Sequence, residues 1–340
     1  MSEPTIEKKV ILVTGATGRQ GRSFINALTA STDSGPRYHV LALTRNSKQP
    51  SAKGITSEHV AVVQGNLDAP ESIRKIFENQ KNEGQAIWGV FCVLAFPGLG
   101  VNADGEEKQG KMMADLSLEF GISFFVFSSV ERGGEGADDT MMDDRLAKIR
   151  IENHVKQLGT KGLKWSILRP GFFMENYEGT LGAITFGVLK AGLKPTTTVQ
   201  LIAIDDIGHV AAGIFNDASS FESQVVVVVG DICDTLQQEK AYQDVVGRPM
   251  PSIPALLARA LISLNSQTKG LIFDMERVHS ARSSETAGGE YYMQLDRAKR
   301  AYPHMKSFAE WCRSREDRRT SRREKNWNGV SLGKLLKGRQ

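Results

Sequence analysis

The chain has 340 residues, of which 40% are hydrophobic, and a formal net charge of +4. This length is enough for one large α/β domain and a smaller lobe, and the absence of a long apolar run predicts a soluble chain that does not associate with membranes. The three cysteines are far apart in the sequence, which indicates neither a disulfide framework nor a metal site and favours a reducing, cytoplasmic location.

The positive charge is concentrated at the carboxyl end. Residues 313–340 contain ten Lys or Arg and three Asp or Glu, so the remainder of the chain is mildly acidic. We predict a mobile, solvated tail over 313–340. The alternative is that this tail directs the protein to the nucleus or contacts an acidic protein partner. The sequence has no motif that reads nucleic acid, so specific nucleic-acid binding is not expected.

The first predicted strand, 10–13, runs into a glycine-rich turn. Gly15 allows the chain to turn sharply, Gly18 removes a side chain where backbone must approach a pyrophosphate, and Gly21 lets the next helix press against the strand. A strand, this spacing and a helix together indicate a dinucleotide-binding turn, whereas the alternative is a structural turn without a ligand. The residues predicted to contact the cofactor here are Gly15, Ala16, Thr17, Gly18, Arg19, Gln20 and Gly21.

The second predicted strand, 38–43, ends in a basic segment that decides between the two nicotinamide dinucleotides. An NAD site usually has an acid here for the ribose 2′-hydroxyl, whereas a 2′-phosphate needs a cation. The next acid along the chain is Glu58. Arg45 can hold a phosphate with two hydrogen bonds, and Lys48 adds positive charge. We therefore predict NADP(H); the alternative is that Arg45 is a solvated loop residue.

Further apolar strands predict a doubly wound parallel α/β sheet of the Rossmann type, with helices on both faces. They cover residues 59–64, 87–94, 124–129, 163–168 and 225–229. The loops that follow two of these strands should complete the cofactor site. We predict that Asn66 and Leu67 flank the adenine, and that Leu94, Ala95 and Phe96 border the nicotinamide.

Two more segments make the chain resemble a known family. They read Ile-Leu-Arg-Pro-Gly-Phe-Phe-Met-Glu-Asn over 167–176 and Ile-Ala-Ile-Asp-Asp-Ile-Gly-His-Val over 202–210. Together with the glycine turn they are similar to NmrA-like proteins, which are atypical short-chain dehydrogenases/reductases, over about residues 8 to 312. The resemblance implies an NAD(P)-binding Rossmann domain, a smaller C-terminal α/β lobe and a substrate cleft between them. It assigns 8–170, with 202–230 returning, to the first and 171–201 with 231–312 to the second.

The resemblance also implies NADP(H) more often than NAD(H), and two kinds of function. Some relatives are reductases that act on a small organic substrate, and others are catalytically silent redox sensors that bind a protein partner. Pro170, Gly171, Phe172 and Phe173 follow the predicted strand 163–168, and we predict that they cover the nicotinamide and begin the small lobe. The alternative for Phe172 and Phe173 is a place in the hydrophobic core.

The catalytic residues depart from the common pattern. Ordinary short-chain dehydrogenases use a Tyr four residues before a Lys on one helix, and here Asp144 precedes Lys148. A carboxylate is a poor proton donor near neutral pH, so the Tyr-dependent mechanism is not expected. The resemblance implies that Lys148 binds the nicotinamide ribose and donates the proton; the alternative is a surface lysine paired with Glu152. Ser128 and Ser129 either hydrogen-bond a substrate oxygen or cap the strand.

Overall fold

The computed structural model describes residues 8–30, 37–95, 103–136, 138, 141, 143–282 and 285–319. The strands are β1 (Lys9–Val13), β2 (Tyr38–Thr44), β3 (Val60–Gln64), β4 (Ile87–Cys92), β5 (Phe124–Ser128), β6 (Trp165–Pro170), β7 (Phe172–Phe173), β8 (Val199–Ile202), β9 (Gln224–Val228) and β10 (Asp231–Cys233). The helices are α1 (Arg19–Thr29), α2 (Pro50–Lys53), α3 (Pro70–Asn82), α4 (Asp104–Glu119), α5 (Asp143–Gly159), α6 (Gly179–Gly192), α7 (Ile204–Asn216), α8 (Thr235–Val246), α9 (Ala255–Leu264), α10 (Ser266–Arg282), α11 (Glu285–Ala301) and α12 (Phe308–Arg319). Short 3₁₀ turns cover Met174–Tyr177 and Ala218–Phe221.

Seven strands form the main sheet in the order β3-β2-β1-β4-β5-β6-β9, and every neighbouring pair is parallel. The predicted Rossmann-type sheet is therefore confirmed. The strand order reverses between β1 and β4, and in open α/β sheets ligands bind outside the carboxyl ends of the strands at this switch point. The Thr14 hydroxyl fastens the two strands there, because it donates to the Val93 carbonyl at 2.7 Å and accepts from the Val93 amide at 2.8 Å.

Helices cover both faces of the main sheet. Along β5, Phe124 and Val126 contribute to one hydrophobic core, and Phe125 and Phe127 contribute to the other. The first core also receives apolar side chains from α1 and α7, whereas the second receives them from α3, α4 and α5. Burial on both faces explains why these strands read as continuous apolar runs rather than as alternating ones.

A second, smaller sheet has the order β10-β8-β7, with β10 and β8 antiparallel and β7 and β8 parallel. Its core is shared with α6, which contributes the buried Phe186, and with α12, which contributes the buried Phe308 and Trp311. The predicted boundary of the tail at residue 313 falls inside α12, so residues 313–319 are helical. Residues 320–340 lie outside the described part of the chain. No helix in the described ranges is long and apolar enough to span a bilayer.

Candidate functional site

The glycine turn between β1 and α1 has the geometry that its spacing predicts. Gly15 has a φ of +57°, and a Cβ added there would lie 2.8 Å from the Val93 carbonyl oxygen. At Gly21, an added Cβ would lie 2.4 Å from the Gly15 carbonyl oxygen. Both positions therefore require glycine, the first for the turn and the second for close packing of α1. The turn and packing roles are confirmed, and the contact with a nucleotide stays a prediction.

The amino end of α1 faces outward from this turn. Gly18 precedes the helix, no side chain of the described residues caps the first turn, and the first turn contains no acid. An added Cβ on Gly18 would have one protein neighbour within 4 Å, the Gly15 carbonyl oxygen at 3.1 Å. Uncapped N–H groups and the positive end of a helix dipole attract anions. The local structure therefore fits a pyrophosphate. Ala16 is fully buried, and its predicted contact with the cofactor stays a prediction.

Two side chains of the first turn of α1 point to neighbouring elements. Gln20 accepts a hydrogen bond from the Ser128 hydroxyl at the end of β5, at 2.8 Å. The Arg19 guanidinium forms an ion pair with Glu178, with Nη1 and Oε2 2.9 Å apart. Thr17 is half-buried and its carbonyl accepts from Arg22. The end of β5 is thereby joined directly to the predicted dinucleotide turn.

The tip of β2 lies at the same edge of the sheet, because Ala42 pairs with Val13, the last residue of β1. Arg45 and Lys48 follow immediately and both are exposed. Among the residues that the structure describes, neither side chain has a hydrogen bond or an ion pair, and the loop is held by others, such as Gln49 bonded to Thr44. An exposed guanidinium without an acid beside it is suited to a 2′-phosphate.

The loop after β3 is tightly turned. The side-chain oxygen of Asn66 accepts a hydrogen bond from the backbone amide of Asp68 at 3.2 Å, and the backbone amide of Asn66 donates to the Ser72 hydroxyl at 2.9 Å. Leu67 and Leu94 are half-buried against the core under α3 and α4. Ala95 is exposed, and Phe96 lies outside the described residues. The adenine and nicotinamide contacts predicted for these positions are not tested by this geometry.

Lys148 is held by a partner from α4 that the sequence did not indicate. Its ammonium forms an ion pair with the buried Glu106 carboxylate, with Nζ and Oε1 2.5 Å apart. The alternative of a surface pair between Lys148 and Glu152 is wrong. Glu152 is fully buried and binds Arg132 and Arg169 instead. Glu106 was not predicted from the sequence, because acids in the first turn of a helix are ordinarily explained by the helix dipole and indicate no particular partner.

The two serines at the end of β5 differ in their surroundings, because successive side chains point to opposite faces of a sheet. Ser128 faces α1. The Ser129 hydroxyl donates to Glu152 at 2.5 Å, within the buried cluster that Glu152 forms with Arg132 and Arg169 beneath α5. Burial raises the pKa of Glu152, but the guanidinium groups of Arg169 and Arg132 outweigh it and lower that pKa to about 2. Ser129 is thus engaged with a buried carboxylate, and the substrate contact of Ser128 stays a prediction.

The segment after β6 connects the two sheets. Pro170 is the last residue of β6, and the Gly171 amide donates to the Val228 carbonyl at 3.0 Å. An added Cβ on Gly171 would lie 2.6 Å from the Gln200 carbonyl oxygen, so only glycine allows β8 to approach. Phe172 packs against the core of the small sheet and Phe173 against the core under α1 and α7. Both rings are half-buried, which agrees with the core alternative without deciding the nicotinamide contact.

A cavity of about 630 Å³ opens at the end of the main sheet opposite the glycine turn. It lies at the amino ends of the strands, and its lining includes Lys9, Trp88, Phe124 and Lys164. The ligand edge of a parallel sheet is the carboxyl edge, where the glycine turn, Arg45 and Lys148 lie. We therefore assign the functional site to the carboxyl edge and not to this cavity. Within the described ranges, no group of His, Cys, Asp and Glu is arranged to hold a metal.

A parallel sheet with a glycine-rich turn at its switch point defines a protein of the Rossmann fold class. The chain belongs to the NmrA-like family, whose model matches residues 7–302. It is 27% identical over 282 residues to the NmrA-like family domain-containing oxidoreductase ptmS of Penicillium ochrochloron, covering 74% of this chain and 77% of ptmS. The resemblance to this family seen in the sequence is confirmed.

Solved structures show the same fold. NmrA, described as a negative transcriptional regulator in complex with NADP, superposes with a TM-score of 0.65 at 18% identity, over 93% of this chain and 98% of NmrA. The NADPH-dependent quinone oxidoreductase QOR2 of Escherichia coli, complexed with NADPH, superposes with a TM-score of 0.63 at 18% identity, over 90% of this chain and 99% of QOR2. One of these proteins is named as a regulator and the other as an enzyme.

Proposed function

We propose that this chain is an NADP(H)-dependent reductase that acts on a carbonyl or conjugated double bond of a small organic substrate. The observation that carries the proposal is the hydrogen bond between Ser128 and Gln20, which places the hydroxyl at the end of β5 beside the dinucleotide turn. The names of ptmS and QOR2 support reductive chemistry, and the NADP complexes of the similar folds support the cofactor.

The residues at the carboxyl edge suit the parts of NADP(H) in turn. The uncapped amino end of α1 and Gly18 would hold the pyrophosphate, and Arg45 with Lys48 would hold the 2′-phosphate. Phe172 and Phe173 lie at the junction of the two sheets, where they would border the nicotinamide. When bound, NADPH supplies the hydride.

Lys148 supplies the proton in this proposal. It precedes Glu152 by four residues on α5, or about 6 Å along the helix. Glu152 accepts a hydrogen bond from Ser129, which directly follows β5. Because α5 runs antiparallel to the strands, Lys148 lies closer to the carboxyl edge of the sheet than Glu152 does. Its ion pair with Glu106 fixes the ammonium between α4 and α5. Ser128 would orient a substrate oxygen and the Nζ of Lys148 would give it a proton.

Lys148→Ala is expected to lower the turnover number with NADPH by about a hundredfold or more, because a positioned proton donor contributes at least that much. Cofactor binding should weaken without being lost. The measurement is NADPH oxidation with a panel of quinones, ketones and enones, beside cofactor titration by calorimetry. Lys156→Ala is the matched control, since Lys156 is another ion-paired lysine of α5, eight residues further along. Full turnover in Lys148→Ala, or no NADPH oxidation by the wild type with any panel member, would contradict the proposal.

A cofactor-sensing regulator is the second candidate, and the contacts of Glu178 favour it. Glu178 forms ion pairs both with Arg19 in the dinucleotide turn and with Arg315 on α12. Arg315 also reaches Glu175, at 3.4 Å. A phosphate bound at the turn would compete with Glu178 for Arg19, so cofactor binding would alter the anchor of α12. The name of NmrA as a transcriptional regulator supports this candidate.

Hydrogen exchange tests this coupling. The amides of α12 are expected to exchange several-fold faster with saturating NADP⁺ or NADPH than without cofactor, because Glu178, once Arg19 has turned to the phosphate, is no longer fixed from the turn and holds Arg315 less firmly. Glu178→Gln should exchange faster at the outset and respond little to cofactor. Equal exchange of α12 in all cofactor states of the wild type would exclude the regulator, since a ligand indifferent to two states cannot shift them.

A further inference from the structure

The α9–α10 hairpin exposes large apolar side chains to an unusual degree. Leu256 is 83% exposed and Leu264 is 86% exposed, and they lie eight residues apart, within one broad face of α9. Leu257 is 49% exposed, and Phe273 on α10 is 68% exposed. Single exposed apolar residues are common, but a cluster of them on one hairpin indicates an interaction surface.

The inner side of α9 already has its partner. A Cβ added to Gly192 of α6 would lie 3.0 Å from Ile262 of α9 and 2.7 Å from Ile272 of α10, and one added to Gly187 would lie 2.6 Å from Ile253, just before α9. These glycines bring α6 close to the hairpin, and Ala258 is buried at the contact. The outward leucines are therefore additional to what packing against α6 requires.

The charge of residues 247–273 is one-sided. They contain no Asp or Glu, and their cations, Arg248, Arg259 and Lys269, are all exposed. The acids further along α10, Asp274 and Glu276, are only partly exposed and form ion pairs with Arg145 and Lys194. Apolar side chains with Lys or Arg beside them are typical of helices that lie at the surface of an anionic bilayer. A second copy of the chain would bring like charges together across the contact, with no carboxylate in the segment to offset them.

We propose that the outer face of α9 and α10, defined by Leu256, Leu257, Arg259, Leu264 and Phe273, docks on an anionic lipid surface. The leucines and the phenylalanine enter the headgroup region, and the cations contact lipid phosphates. This contact is peripheral, so it is compatible with the absence of a spanning helix among the described residues. The proposal differs from the sequence-based expectation of no membrane association.

The test is co-flotation of the full chain with vesicles, one set of phosphatidylcholine alone and one containing about one third phosphatidylglycerol. We expect binding to the anionic vesicles that weakens as salt is added. Leu256→Gln/Leu264→Gln should lower the partition coefficient by about tenfold or more, since two leucines no longer leave water. Both side chains are exposed, so thermal unfolding of the variant should match the wild type.

Leu236→Gln is the matched control, because Leu236 is 60% exposed on α8 next to the acid Asp234. It should bind vesicles like the wild type. Unchanged binding in the double variant would overturn the proposal and assign the attraction to the basic segment beyond residue 319. Absence of vesicle binding would also overturn it, and self-association abolished by the double variant would then identify the face as a contact between copies.

Discussion

Arg45→Ala is expected to remove most of the preference for phosphorylated nicotinamide dinucleotides. The affinity for NADPH should fall on the order of tenfold to a hundredfold, which is the range for losing a charge-assisted contact with a phosphate. The affinity for NADH should change little, because NADH has no 2′-phosphate at this position. Calorimetric titration with all four dinucleotides measures both quantities. Arg45→Glu should go further and favour NADH, since a carboxylate accepts from the ribose 2′-hydroxyl and repels a phosphate.

Arg313→Ala is the control for a general effect of lost positive charge, since Arg313 is an exposed arginine on α12, remote in sequence from the tip of β2. Lys48→Ala should weaken NADPH binding less than Arg45→Ala, because an ammonium lacks the planar fork that matches a phosphate. An unchanged preference in Arg45→Ala would show that another cation reads the 2′-phosphate or that the site prefers the unphosphorylated pair.

The elements of this site that were predictable from sequence are those specified by neighbours along the chain. Gly15 and Gly21 are six residues apart, and a Cβ added to Gly21 would clash with the Gly15 carbonyl oxygen. The spacing of the two glycines along the chain therefore predicts the geometry of the turn. The apolar strands likewise predict a parallel sheet, because burial on both faces leaves continuous apolar runs. Arg45 could be placed because β2 ends beside β1 in every sheet of this type.

The parts that sequence missed depend on contacts between distant segments. Glu106 lies 42 residues before Lys148, and no local pattern links them. Helical spacing predicted Glu152 as the partner of Lys148. Glu152 instead forms ion pairs with Arg132 and Arg169, because these buried guanidinium groups need a buried counter-charge. The boundary at 313 was predicted from charge alone, whereas burial of Trp311 and Cys312 and the contacts of Arg315 extend α12 to Arg319.

Glu152→Ala is expected to destabilise the fold strongly, by about 3 to 5 kcal/mol, because it leaves buried guanidinium groups without their main counter-charge. Arg132 and Arg169 are almost fully buried, and Asp138 and Glu135 compensate them only in part. Urea unfolding at neutral pH measures the loss. Glu119→Ala is the control, since Glu119 also binds an arginine through both oxygens but is exposed, and it should change stability little. Equal losses of stability in the two variants would mean that the buried ion pairs of Glu152 with Arg132 and Arg169 stabilise the fold no more than an exposed ion pair does.

The same carboxylate predicts the direction of a pH dependence. The pKa of Glu152 is about 2 in the folded chain and about 4.3 in an unfolded one, so folding favours its charged form. Its contribution to the free energy of unfolding is therefore complete above about pH 4.3 and is lost as the pH falls toward 2. Glu152→Gln abolishes this titration, so the stability gap between wild type and variant should be widest at neutral pH and narrow as acid is added. A gap that stays constant, or widens, in urea titrations across that range would show that the carboxylate is not held in its charged form by Arg169 and Arg132.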